Sequence, residues 1–234
     1  MEAYFKLKND MKNRIIRKLN FLRLKKNIGS YHQFSRIAPF NKIGPATLNE
    51  NMEILRPYYE QYVSEVSQKD MAASLELAGF LLAICKTNNF LKLLDMGSGF
   101  SSFVFRLYAK DNPNVNVFSV DDDTSWIEKT KEFLLSHHLQ TSQIYTLNSF
   151  LESGENNFDF ILHDLNFVEE RIKYVDILIQ KASENGLILF DDVHKPDYLF
   201  NLLSKFRKQR MKVFTTKPAT MDSFGRFALA LLKK

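Results

Sequence analysis

The residues equipped to do chemistry stand in four short clusters. Asp95-Met96-Gly97-Ser98-Gly99-Phe100-Ser101-Ser102 sets two glycines among hydroxyl side chains. Glycine has no Cβ, so such a turn lets the backbone close on a ligand and aims the start of the next helix at it. A dinucleotide fingerprint would place a third glycine at position 102, where this chain has Ser102. Asp121 opens the run Asp121-Asp122-Asp123, 24 residues after Gly97. An acid at about that distance can accept hydrogen bonds from ribose hydroxyls. His163-Asp164-Leu165-Asn166 and Asp191-Asp192-Val193-His194 complete the set. They offer imidazoles for proton transfer near neutral pH.

A glycine turn alone also suits a tight strand-to-helix connection. Turn and spaced acid together point to a cofactor containing adenosine, either NAD or S-adenosylmethionine. Asp95 and Asp164 are expected to face the same cleft. Acids there are awkward for a pyrophosphate and comfortable for a donor with a sulfonium and an ammonium group. Methyl transfer is therefore the better reading. Asp122 and Asp123 also read as solvated or helix-capping groups.

These clusters need elements to hold them. Apolar runs at Leu91–Met96, Val115–Val120, Ile144–Leu147, Phe158–His163, Leu187–Phe190, Lys212–Thr215 and Phe227–Leu232 predict strands. Helical stretches are expected over Met71–Lys86, Ser101–Lys110, Ser125–Leu139, Val168–Ser183 and Asp197–Gln209. Ser125 and Glu128 have capping-box spacing. Strands alternating with helices need crossovers, hence a mostly parallel sheet covered on both faces. Only the last two strands lack an intervening helix and should form a hairpin with one antiparallel strand. In such a sheet, ligands sit at the carboxyl ends of the strands, where all four clusters fall.

Composition narrows the classes. The 234 residues are 45% apolar and 25% charged, with no apolar run near the ~20 residues of a membrane span. One cysteine, Cys85, excludes an internal disulfide and a cysteine-rich zinc site. With no secretory signal at Met1–Asp10, a cytoplasmic location is expected. Residues 1–26 hold nine Lys/Arg and two acids, so this arm carries +7 and the remainder −2, which together make the net +5. A near-neutral body argues against a nucleic-acid groove. Within the arm, Met11, Ile15, Leu19 and Leu22 recur at helical spacing among basic residues. Such a helix either lies on an anionic membrane or partner, or packs on its own body with a solvated basic face. Residues 1–45 are expected to be arm and connector, and residues 46–234 the catalytic body with its core at 91–234.

Residues 91–234 resemble class I S-adenosylmethionine-dependent methyltransferases, through LLDMGSGFSS (93–102), VFSVDDDTSWIEKTKEFL (117–134), FDFILHDL (158–165) and GLILFDDVH (186–194). The resemblance implies a Rossmann-like α/β three-layer sandwich, its seven-stranded sheet mostly parallel with the last strand antiparallel. It also implies that Asp95 and the Gly97–Gly99 loop lie near the methionine part of the cofactor. Asp121 would hold the ribose and Asn148–Ser149 would lie by the adenine. The cofactor candidates are thus Asp95, Gly97, Ser98, Gly99, Ser101, Asp121, Asp122, Asn148, Ser149 and Asp164.

The last two segments look like the catechol and caffeoyl-coenzyme A O-methyltransferase branch, in which matching acids bind a divalent cation. This puts Asp164, Asp191 and Asp192 forward as ligands for Mg²⁺ or a similar ion, which would orient the acceptor hydroxyl and lower its pKa. The alternative is a metal-free site with His194 or His163 as general base. The catalytic candidates are accordingly Asp164, His194 and His163. His137 and His138 read as solvated residues at a helix end. Trp126 either flanks the adenine or packs on the sheet, and Tyr58, Tyr59 and Tyr62 either line the acceptor pocket or pack. The expected activity is O-methylation of a small-molecule hydroxyl. The rivals are a non-catalytic nucleotide-binding module and an NAD-dependent oxidoreductase.

Overall fold

The computed structural model describes residues 40–209 and 211–233, together with Lys12, Ile15, Lys18, Leu19 and Leu22. Those five are helical, and Ile15, Leu19 and Leu22 are each more than half exposed. The rest of the expected basic arm lies outside the described residues. Among the described residues, no helix is long and apolar enough to cross a membrane.

Strands form where short apolar runs are shielded on both faces. They are β1 (Lys92–Met96), β2 (Asn116–Asp121), β3 (Ile144–Thr146), β4 (Phe158–His163), β5 (Ala182–Phe190), β6 (Lys212–Thr215) and β7 (Leu229–Leu232). They make one sheet in the order β3-β2-β1-β4-β5-β7-β6. The pairs among β1 to β5 are parallel, while β7 runs antiparallel to both β5 and β6. The order reverses next to β1, which opens a crevice beyond the strand ends.

Register sets the site. Met96 pairs with Val120 on one side and His163 on the other, and His163 pairs with Phe190. These four residues form one row across the sheet, so Gly97, Asp121, Asp164 and Asp191 all follow it at the same level. Backbone hydrogen bonds hold that level: Gly97 N–H donates to Val120 (2.9 Å), Asp164 N–H to Met96 (2.6 Å) and Asp191 N–H to His163 (3.2 Å).

Helices cover both faces. On one side, α1 (Pro45–Glu65) starts with proline in its first turn, where the missing N–H costs nothing. It packs over α2 (Leu75–Asn88), whose Leu77–Cys85 segment is wholly buried. Ser74 Oγ caps α2 by accepting from Leu77 N–H, and Asn89 ends it in the left-handed region. Next come α3 (Phe100–Lys110) and α4 (Thr124–Ser136). On the other side lie α5 (Leu147–Glu152), α6 (Val168–Arg171), α7 (Val175–Lys181) and α8 (Pro196–Gln209). The one-turn α9 (Lys217–Thr220) separates the last two strands. Each face has its own apolar core, one centred on Phe80, Phe103 and Phe160 and the other on Phe118, Phe158 and Phe190.

Several expectations change. The connector expected up to residue 45 already belongs to the body at Phe40 and Ile43, which are buried. The single helix expected over Val168–Ser183 is two short ones, and β5 begins at Ala182, earlier than Leu187. The capping box at Ser125 is replaced by Asp123, whose Oδ1 accepts from the N–H groups of Ser125 and Trp126 and so starts α4 earlier. His137 is not solvated; its ring packs edge-on against Tyr58, Phe103 and Phe133, and burial lowers its pKa. The long α1 was not expected from the sequence, although its buried residues Asn51, Leu55, Tyr59 and Tyr62 recur at helical spacing.

Candidate active site

The loops leaving the sheet row wall a cleft of about 880 Å³, within the range of pockets for cofactor-sized ligands. The first wall is the loop after β1. Gly97 sits at φ +116°, and a Cβ there would lie 2.6 Å from the carbonyl carbon and oxygen of Asp164. Gly99 sits at φ +154°, where a Cβ would reach within 3.0 Å of the Tyr62 hydroxyl. Only glycine suits both places. Trp126 Nε1–H donates to the Ser98 carbonyl at 2.7 Å, tying the loop to α4. Trp126 therefore lines the cleft and braces the loop.

Beneath the loop, Asp95 is fully buried and accepts from the hydroxyls of Ser101 and Ser102. Arg106 Nη1–H donates to Ser119 Oγ at 2.7 Å, beside the same carboxylate. Burial pushes the Asp95 pKa up to about 7 against the pull of those donors. Asp95 does not line the cleft. Ser101 does, and it transmits the position of Asp95 to the loop.

Asp121 lines the cleft at the end of β2. One carboxylate oxygen accepts from Ser98 N–H (2.8 Å) and Ser98 Oγ–H (2.9 Å), and the other from Asp123 N–H (3.1 Å). Burial raises its pKa, and those donors oppose the rise. Asp122 is exposed on the rim and accepts a hydrogen bond from Asn166, linking the loops after β2 and β4. Asn148 and Ser149 are exposed at the start of α5 and lie outside the cleft wall. There, Thr146 Oγ1 caps the helix by accepting from Ser149 N–H.

The opposite wall carries the acids after β4 and β5. Asp164, Asp191 and Asp192 bring one oxygen each within 4.8 Å of one another. Among them stands Arg171, which the sequence reading did not single out. Its Nη2 lies 2.7 Å from Asp164 Oδ1 and its Nη1 3.3 Å from Asp192 Oδ2. Its Nε–H is shared by the carbonyls of Leu165 (3.1 Å) and Asn166 (2.9 Å). Burial, together with like charge between the acids, raises the pKa values of Asp164 and Asp191.

The two histidines separate cleanly. His163 is fully buried and lies outside the cleft wall. Its Nε2–H donates to the Arg171 carbonyl at 2.9 Å, and burial lowers its pKa to about 3. Sealed and neutral, it holds α6 against the sheet and cannot act as the general base expected from the sequence. His194 lines the cleft, with Nδ1 3.5 Å from Asp192 Oδ1 and a partly exposed side chain. Desolvation lowers its pKa from 6.5, so the neutral imidazole prevails near neutral pH.

The rim is apolar. Met71 and Phe167 are each 68% exposed, Phe224 is 55% exposed, and all three line the cleft mouth. Arg226 braces it, donating to Asp222 Oδ2 (2.6 Å) and the Asp70 carbonyl (2.7 Å). Of the tyrosines weighed from sequence, Tyr62 reaches the cleft, whereas Tyr58 and Tyr59 pack against Phe103 and Phe100. Arg171, Met71, Phe167, Phe224 and Arg226 were missed because none follows directly on an apolar strand run.

No protein-family model matches the chain, and no curated protein matches it. Solved structures do. A methyltransferase of Podospora anserina bound to S-adenosylhomocysteine aligns with 85% of this chain and 98% of its own, at 18% identity and a TM-score of 0.59. An O-methyltransferase of Streptomyces achromogenes involved in tomaymycin synthesis, in complex with S-adenosylmethionine, covers 88% and 96% at 16% identity and a TM-score of 0.56. An O-methyltransferase of Bacillus cereus with S-adenosylhomocysteine covers 88% and 100% at 14% identity and a TM-score of 0.53. At these identities the likeness establishes the fold, the Rossmann-like methyltransferase fold expected from the sequence.

Proposed function

We propose that the chain transfers a methyl group from S-adenosylmethionine to a hydroxyl of a small, partly apolar acceptor. One observation carries this reading. A glycine loop that no Cβ could enter and a ribose-type acid leave adjacent strands at one level, in a cleft lined by seven aspartates against three basic residues. That charge balance favours a cationic donor over a pyrophosphate. The cofactor-bound folds described above agree with it.

Gly97, Ser98 and Gly99 would take the methionine part of the donor, and Asp121, already held square by Ser98, would accept from the ribose. When bound, the donor supplies an activated methyl group on a positive sulfur. The chain's residues do the rest. Trp126 and Asp95 fix the loop from above and below, so the donor meets a preorganised surface and little ordering remains to be done. Met71, Phe167 and Phe224 would cover the acceptor and exclude water. His194 Nε2, on a neutral ring, would take the acceptor's hydroxyl proton, while Asp192 beside Nδ1 stabilises the imidazolium that results. Holding oxygen and methyl in line supplies most of the acceleration.

The test is transfer of labelled methyl from the donor to a panel of aromatic and aliphatic hydroxyl compounds. Label should appear in an acceptor, and His194→Gln should slow transfer by about 10²–10⁴-fold with donor affinity unchanged. Donor binding without label transfer to any acceptor would favour a non-catalytic binding module, and an unaffected His194→Gln would remove the base.

A further inference from the structure

The resemblance of the strand-end acids to a divalent-cation site meets an obstacle inside the cleft. Asp164, Asp191 and Asp192 are the right chemistry for a hard ion, but the space between two of them is taken. The Arg171 side chain is 93% buried, its Nη2 is paired with Asp164, and its Nη1 lies against Asp192. Its position is fixed at both ends. The Nε–H is held by the carbonyls of Leu165 and Asn166, and the residue's own carbonyl accepts from buried His163. A swing away from the acids would strand a buried guanidinium and break those bonds, which is strongly unfavourable. A divalent ion using the same oxygens would stand beside a trapped positive charge. The acid cluster and an added ion therefore do not fit together.

We infer that Arg171 is the resident cation of the acid cluster, a positioning residue standing where the acid arrangement would otherwise call for a divalent ion. The inference concerns the same site as the proposed methyl transfer and rests on that reading only for its consequence. Arg171 sets a fixed positive charge between Asp164 and Asp192, and the charge of Arg226 also acts on Asp191 and Asp192. A fixed guanidinium offers no open coordination positions. The acceptor then needs no pair of adjacent oxygens to chelate an ion, and a lone hydroxyl on an apolar body suits the cleft. Selection falls to the apolar rim and to His194.

The experiment is a titration of the full-length protein with Mn²⁺, read as loss of the free-ion paramagnetic signal, so it requires neither donor nor acceptor. The wild type should leave the signal of the free ion unchanged up to millimolar protein. Arg171→Met, which keeps the length of the side chain and removes its charge, should bind Mn²⁺ at least about tenfold more tightly than wild type, since affinity for hard ions follows ligand charge. Adding Asp191→Asn to that variant should abolish the gain. Arg171→Lys keeps a cation and should stay indifferent to the metal; it also serves if Arg171→Met does not fold. Tight Mn²⁺ binding by the wild type, lost in Asp191→Asn, would overturn the inference, and so would an Arg171→Met protein that folds yet gains nothing. Donor binding measured on the same samples keeps the two questions apart, because failure to bind S-adenosylmethionine leaves the Mn²⁺ result standing.

Discussion

Gly97→Ala should damage the protein far more than the same change at a glycine in open space, and Gly154 supplies the comparison. Gly97 sits at φ +116° and Gly154 at φ +73°, so both substitutions force alanine into a backbone region it avoids. That strain costs about 1–2 kcal/mol. Around Gly154 nothing lies within 4 Å of the new Cβ. At Gly97 the Cβ would meet Asp164 backbone atoms at 2.6 Å and the Leu165 nitrogen at 2.8 Å, roughly 1 Å inside ordinary contact. Backbone leaving a central strand cannot rotate aside, and overpacking of this kind adds about 1–3 kcal/mol. Gly97→Ala therefore totals about 2–5 kcal/mol. In a chain of this size each kcal/mol moves the melting midpoint by about 2–4 °C, giving a fall of roughly 4–20 °C against 2–8 °C for Gly154→Ala. The displaced loop is also the donor loop, so only Gly97→Ala should weaken S-adenosylmethionine binding. Circular-dichroism melts and calorimetric titrations of both variants make the comparison. Equal melting points with equal donor affinities would refute the close packing of this loop against β4 as the reason for the glycine.

Three further outcomes are expected. Asp121→Ala removes the acceptor of two Ser98 donors as well as the ribose partner, so donor affinity should drop by about 10–100-fold, and an unchanged Kd would reject its role. Asp95 has a folded pKa raised from 3.8 to about 7, so folding takes up a proton and wild-type stability is lost as pH rises through that window. In urea titrations Asp95→Asn should therefore gain on the wild type between those two values, and a pH-independent difference would count against a buried carboxylate with this shift. Because the His194 pKa is lowered from 6.5, the acidic limb of turnover should have its midpoint below that value and vanish in His194→Gln; a limb that persists in the variant belongs to another group.

The sheet was legible because its strands are short apolar runs ending in polar punctuation, and β4 was placed to the residue. Asp121, Asp164, Asp191 and Asp192 were legible for the same reason, since each stands one or two residues past such a run. What could not be read lies in contacts between distant segments. Arg171 occurs in the polar stretch Glu169-Glu170-Arg171, which resembles a solvated helix turn until the sheet row brings Asp164 and Asp192 around it. His163 and His194 look alike in sequence, each within two residues of an aspartate at a strand end. Only the pairing of His163 with the row at Met96 and Phe190 buries one and leaves the other facing the cleft. Asp95 was expected to face the ligand, but side chains alternate along a strand and its carboxylate turns instead to the hydroxyls of α3. The rim of Met71, Phe167 and Phe224 is assembled from three loops that no periodicity connects.

The most direct test is a pair of calorimetric titrations of the wild-type protein, one with S-adenosylhomocysteine and one with NAD. A cleft built from the Gly97 loop, Asp121 and an acidic wall should bind the first at one site per chain and release no heat with the second. Uptake of NAD with indifference to S-adenosylhomocysteine would contradict the account at its base.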